Sequence, residues 1–311
     1  MADFQKVLCL GGGGARSLAQ LGLLAVMESE GLAPDLMVGT SGGALVGALV
    51  GLYGSVDQAV DHVRSVLASD AYQHLQLNPL KEEGVESGLF DRLLKSFREQ
   101  LLIARSVTSP ALVKEDTITP LFELLFGDHT FEDLKIPLAV VALDLSSGET
   151  VVLRHGPLIP ALRATSSIPG VFPPVSLDGR ILVDAGPTDV VPVWVARALG
   201  AKSVVAVDVS ATPEVDIPTH RAIEIMLRAE QWASHRVRLI QLDAADLVIH
   251  IPVEEISWDE FDKLDQALQI GEMTGKREIQ KIRRAWSVWS RWRNRLLNAR
   301  RTPPPVPIVF L

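Results

Sequence analysis

The sequence predicts an α/β sandwich on three observations. The chain opens as a short apolar run, a glycine loop and a helix, the same order recurs at Asp35–Tyr53, and the later β runs are separated by helical stretches. "KVLCL" has strand character, "GGGGA" breaks it, and Leu18, Leu21, Leu24 and Ala25 recur at helical spacing until Gly31 closes the helix. "DLMVG" is a second strand and "GGALVGALVGLY" a second helix, so Ser41 falls at a strand-to-helix turn. From about residue 55 to 133 the pattern is helical and loop-like, with polar breaks at "NPLKEEGVESG" and "VTSPALVKEDTITP", and reads as an insertion able to cover a site. Strands return in "PLAVVALDL" and "ETVVLRH", and "LDGRILVD" is a turn at Asp178 and Gly179 leading into another. A helix at Val193–Leu199 precedes "SVVAVDV", and a helix from about His220 to Leu242 separates that strand from "DLVIHI".

Composition bounds what this architecture does. With 311 residues, 47% of them hydrophobic and 22% charged, the chain buries a core as one large domain, or one domain with a tail. The first residues lack a basic stretch followed by an apolar one, and no run reaches the roughly 18 to 20 apolar residues of a spanning helix, so a cytoplasmic, non-integral protein is expected. The single cysteine, Cys9, excludes an intramolecular disulfide and a multi-cysteine metal site. No metal, cofactor or nucleic-acid partner is expected.

Gly39-Thr40-Ser41-Gly42-Gly43 fits G-x-S-x-G, whose glycines permit a sharp turn that exposes a serine hydroxyl. The helix that follows offers free N–H groups and a positive dipole end to a developing anion. A glycine-rich turn with a capping serine fits the same five residues. The run Gly11–Gly14 can aim successive N–H groups into one concavity, as an oxyanion hole requires. It also approaches a dinucleotide signature, but position 17 is Ser where a third Gly is needed, and no acidic residue ends the second strand. Seven histidines are scattered, none in a turn motif facing Ser41. Asp184, at the end of a strand-like run and before a tight turn, is better placed as a base, although a turn-forming Asp reads the same way.

Together these segments resemble the patatin-like phospholipases. The resemblance rests on Gly12-Gly13-Gly14-Ala15-Arg16, on Gly39–Gly43, on "ALRATSSIPGVFPPV" and on Asp184-Ala185-Gly186. It implies a three-layer sandwich with a central, mostly parallel sheet and helices on both faces. It implies too a metal-free acyl hydrolase of lipid esters, of the phospholipase A or lysophospholipase kind, working through an acyl-enzyme. By that resemblance Ser41 is the nucleophile, Asp184 the base, and Gly12, Gly13 and Gly14 the oxyanion hole. Arg16 either attracts a lipid phosphate or makes a structural salt bridge. The chain departs from the family pattern at Ser17, Ala185 and Asp189-Val190. The first two constrain the backbone if those positions need φ > 0 and are the support for an alternative, a non-hydrolytic scaffold. A His-dependent α/β-hydrolase is the other alternative; its serine lies after several strands, whereas Ser41 follows the second.

The C-terminus has a different character. Net charge is −8, yet Lys276–Arg301 holds ten Lys/Arg against one acid, Glu278. Ile279, Ile282, Trp286, Trp289 and Leu296 fall along one helical face, with Trp292 beside it. The sequence is therefore divided into an acyl hydrolase domain, 1–275, and a basic, Trp-rich helical extension, 276–311. Trp286, Trp289 and Trp292 either meet an anionic membrane or pack onto the acidic body of the protein.

Overall fold

The computed structural model describes residues 4–70, 72, 115–213, 222–287 and 307–311. Five parallel strands form its centre in the order β3 (Leu138–Asp144), β2 (Leu36–Thr40), β1 (Lys6–Leu10), β7 (Ser203–Asp208), β8 (Leu247–His250). An antiparallel margin adds β4 (Thr150–Leu153) and β6 (Arg180–Asp184) against β3, β5 (Val175–Leu177) against β6, and β9 (Ile308–Phe310) parallel to β4. β5 and β6 form a hairpin whose turn holds Asp178 and Gly179 at φ of 49° and 74°.

Strand alternation makes the two cores. Leu8 and Leu10 of β1, Val140 and Ala142 of β3, and Val205 and Val207 of β7 face one layer; Val7 and Cys9, Ala139 and Val141, and Val204 and Ala206 face the other. The first layer holds α1 (Ala19–Ser29), α2 (Gly42–Tyr53), α3 (Val56–Leu67), α4 (Glu115–Phe126) and α5 (Leu158–Ser166). The second holds α6 (Gly186–Asp189), α7 (Val193–Ala198) and α8 (Ala222–Leu242). Helices on both sides of a mixed, mainly parallel sheet are the expected fold class. Burial pushes the Cys9 thiol up to about 12, so it packs as a small apolar side chain.

The expected boundary at 275/276 falls inside one helix, α9 (Leu264–Ala285). This helix lies against α1 at backbone distance. A Cβ on Gly271 would overlap the Ala19 carbonyl, one on Gly22 the Leu268 carbonyl, and one on Gly275 would stand 2.9 Å from Val26 Cβ. Ile279, Ile282 and Trp286 are buried in the first core layer, and Ser203 Oγ donates to the Ala285 carbonyl at 2.9 Å. The start of the basic segment is thus core, and of the two uses weighed for its apolar stripe, packing on the protein's own body holds for Trp286. Trp289, Trp292 and Leu296 lie outside the described residues, as does most of the insertion, from 73 to 114. The chain's end returns to the sheet as β9, so residues 307–311 belong to the same body.

Candidate active site

Two strands arrive end to end on one edge of β3. Thr40, the last residue of β2, pairs with Val141, and Asp184, the last residue of β6, pairs with the next residue, Ala142. β4 occupies the other edge of β3 along the same stretch, so β2 and β6 share a side and run toward each other. Ser41 and Asp184 meet at that junction.

The turn after β2 is tight. Ser41 takes φ 52° and ψ −131°, a conformation that costs a non-glycine residue on the order of 1–3 kcal/mol. Its neighbours leave no room for side chains: a Cβ on Gly39 would stand 2.6 Å from Ala44 Cα, and one on Gly43 would overlap the Leu10 carbonyl. The strained residue is held by its own N–H, which donates to Thr165 Oγ1 at 2.8 Å; Thr165 in turn donates to the Val141 carbonyl at 2.5 Å. Thr165 lies on α5 in the "ALRATSSIPG" stretch, where sequence alone indicated no role. Thr165→Val keeps the shape and leaves the Ser41 N–H without a partner. It is expected to lower stability by about 1–3 kcal/mol and to slow acylation of Ser41 while the fold is kept. Thermal melts together with the rate of covalent labelling check this, and unchanged labelling would show that the turn holds itself.

Asp184 is 4% exposed. Burial pushes its carboxyl up to about 6, and hydrogen bonds from the Ser41 hydroxyl and the Gly186 N–H pull against that rise. The Gly186 bond is 2.7 Å long and ends on Oδ1. The described histidines are engaged elsewhere: His62 with the Leu125 carbonyl, His129 with Asp133, His155 with Glu132, His235 with Arg238, and His250 with Glu254 and Asp208.

The glycine loop lies beside the serine, since a Cβ on Gly12 would stand 3.1 Å from Ser41 Cβ. The three glycines differ in what their N–H groups do. Gly12 donates to the Val190 carbonyl at 2.8 Å, so it is not an oxyanion donor; it is glycine because the serine is so near. Gly13 and Gly14 make no N–H hydrogen bond among the described residues. Gly14 has φ 58°, and a Cβ there would overlap the Trp258 carbonyl, which already accepts from Ala15 N–H at 2.6 Å. Ser17 Oγ and Gln20 Nε2 steady the loop through the Gly11 carbonyl at 3.3 and 2.8 Å.

Arg16 serves the scaffold. Its Nε donates to the Ile256 carbonyl at 2.6 Å, burial lowers its pKa, and Glu254, Asp259 and Glu260 supply the nearby negative charge. It ties the glycine loop to the segment after β8 through a backbone carbonyl, rather than through the salt bridge weighed from sequence. Neither Ser17 nor Ala185 has positive φ, and Ala185 sits at φ −82° and ψ 5°, so the backbone accommodates both departures from the family pattern. Asp189 stands buried between β2 and α8. Its carbonyl accepts from Thr40 Oγ1 at 2.7 Å, and its carboxyl accepts from Thr150 Oγ1 at 2.9 Å and Gln241 Nε2 at 2.8 Å. Burial raises the pKa of this carboxyl, and among the described residues no cation pairs with it. The segment Asp184–Val190 therefore carries the carboxyl, clamps the end of β2 and holds Gly12.

Comparison with known proteins follows this geometry. The patatin-like phospholipase family profile matches residues 8–197. A patatin-like phospholipase domain-containing protein of Caenorhabditis elegans is 34% identical over 212 residues, and patatin-like phospholipase domain-containing protein 6 of Homo sapiens 29% over 224; each alignment covers 68% of this chain and 14% of that protein. An NTE family protein of Mycobacterium tuberculosis is 26% identical over 297 residues, 88% of this chain and 46% of that protein. The chain therefore spans a small part of the first two relatives and under half of the third. Among solved structures, VipD from Legionella pneumophila aligns with TM-score 0.44 at 14% identity, over 91% of this chain and 67% of that one. With the profile matching more than half of its length, the chain belongs to the patatin-like phospholipase family.

Proposed function

We propose that the protein is a serine acyl hydrolase that cleaves carboxylic ester bonds of lipids by a Ser41–Asp184 dyad. The observation that carries this reading is a buried carboxyl, raised into the working range of a base, that accepts the hydroxyl of a serine held on a strained strand-to-helix turn. Ser41 Oγ attacks the ester carbonyl and Asp184 takes its proton. The oxyanion is received by the Gly13 and Gly14 N–H groups, and the alcohol leaves with the proton returned by Asp184. Water, deprotonated by the same carboxylate, then hydrolyses the acyl-enzyme. An ordinary aspartate, with pKa about 3.9, is a poor base at neutral pH; burial supplies the missing basicity.

Three measurements test the reading. A fluorophosphonate probe is expected to label Ser41, and turnover of p-nitrophenyl esters and phospholipids is expected to survive EDTA. For the soluble ester, kcat/KM should rise with pH to a plateau, with an apparent pKa of about 6, because only deprotonated Asp184 accepts the proton. Label on another residue, or a rate that stays flat down to about pH 4 where ordinary carboxylates titrate, would assign the chemistry to different groups.

A further inference from the structure

Helix α8 is amphipathic in the inverse sense. At 100° per residue, Ser234, Arg238 and Gln241 share one face, and that face is turned inward. Ser234 Oγ donates to the Gly186 carbonyl at 3.0 Å, Arg238 Nη1 to the Ser210 carbonyl at 3.0 Å, and Gln241 Nε2 to the Thr188 carbonyl at 2.8 Å. The opposite face carries Ile225, Trp232, Leu239 and Ile240, with Met226 at its margin. Ile225 is 54% exposed, Met226 67%, Leu239 52% and Ile240 61%; of ten large hydrophobic side chains exposed among the described residues, four are on this one helix. A surface helix ordinarily does the reverse, since apolar area left in water forfeits the free energy of its burial.

We propose that this outward face of α8 is the surface by which the protein lies on an anionic lipid bilayer. The proposal rests on the lipid-hydrolase reading and adds where the lipid surface is met. Charge beside this face points to an anionic bilayer: in a chain of net charge −8, α8 carries Arg228, Arg236 and Arg238 against Glu224 and Glu230, and with Arg238 turned inward to Asp208 it is Arg228 and Arg236 that stand toward the outward side. Arg228 stacks over the Trp232 ring at 5.3 Å, and Arg236 is exposed on the apolar face itself. A tryptophan flanked by arginines suits the headgroup layer, where an apolar helix face sinks about 5–10 Å. The inward face of the same helix bonds to Gly186 and Thr188, in the short segment after Asp184, so the docked bilayer would stand about one helix diameter, roughly 10–12 Å, from the catalytic segment. Among the described residues no single helix is long and apolar enough to cross a membrane, which suits a helix that lies on one.

The test uses the full chain carrying Ser41→Ala, so that binding is read without turnover, and phosphatidylcholine vesicles with and without phosphatidylglycerol. Binding is expected to favour the phosphatidylglycerol vesicles and to weaken with salt. The triple variant Ile225→Gln, Leu239→Gln, Ile240→Gln should bind about a hundredfold less, whereas in the Ser41 parent the same triple change should leave soluble-ester turnover within about twofold, since these side chains touch nothing in the site. Because Cys9 is buried, Ile225→Cys accepts a single environment-sensitive fluorophore, whose emission should shift to the blue on vesicles. The proposal is overturned if the triple variant binds as the parent does, if the labelled helix shows no shift, or if the protein hydrolyses soluble esters yet ignores both vesicle types. It is also overturned if the triple change dissolves a dimer that forms without lipid, which would make the face a contact between copies. Vesicle binding by a protein that hydrolyses no ester would support the surface and remove the hydrolase reading instead.

Discussion

Asp184→Asn is expected to yield a protein that is nearly inactive and yet more stable than its parent at pH 8. The loss of the base should cost roughly 10²- to 10⁴-fold in kcat, and Ser41→Ala, which removes the nucleophile, at least about 10⁴-fold. The gain in stability follows from the sign of the pKa shift. Asp184 titrates at about 6 in the folded chain against an ordinary value of 3.8, so the folded state binds the proton more tightly than the unfolded state does. Stability contributed by this group therefore falls as pH rises from about 4 to about 6, and the whole cost of the buried charge is present above that. Asparagine keeps an acceptor for the Gly186 N–H and never ionises. The variant should exceed the parent by about 1–3 kcal/mol at pH 8 and match it near pH 4. Denaturant melts at the two pH values check this. A variant less stable than the parent at pH 8 would mean that the buried carboxylate is compensated by its hydrogen bonds, and the dyad would lose its strained base.

Gly14→Ala is expected to lower kcat by roughly 10²- to 10³-fold, the usual cost of losing an oxyanion donor. The alanine Cβ would occupy the place of the Trp258 carbonyl, and at φ 58° the residue has no comfortable alternative, so the loop carrying the Gly13 and Gly14 N–H groups must move. Gly31→Ala is the control. Gly31 has a similar φ of 65° but nothing within 4 Å of the added methyl, so it carries the backbone penalty of about 1 kcal/mol without displacing a neighbour. Its activity should be near that of the parent. If both variants keep full activity, the glycine loop is remote from the reacting carbonyl.

The strand-to-helix turns that place Ser41 and the glycine loop were legible in the sequence because their steric demands are local. Gly39 and Gly43 flank a serine whose turn admits no side chain on either, and the Gly11–Gly14 run interrupts an apolar strand before a helix. Asp184 was visible as the end of a strand before a turn. Which glycine N–H groups are free was not legible, because Gly12 donates to Val190, a residue far along the chain that only the sheet brings near. The same holds for Thr165, whose hydroxyl reaches Ser41 through the packing of α5 on β3.

The helical stripe in the C-terminal segment shows the converse limit. Periodicity marks a face and leaves its partner open. Ile279, Ile282 and Trp286 are in the core because Gly271 and Gly275 let α9 touch α1, a contact between distant parts of the chain, whereas the apolar face left outside belongs to α8. By itself the sequence determined the α/β class, the family resemblance and the turn at Ser41, and only through that resemblance did it name Asp184 as the partner of Ser41, since each depends on spacing, on the missing side chain of glycine, or on a quoted motif. The tertiary structure alone decided the junction of β2 and β6 on β3, the burial of Asp184, the commitment of Gly12 and Arg16, and which helix faces lie inside, because pairing register and burial are properties of residues brought together from far apart.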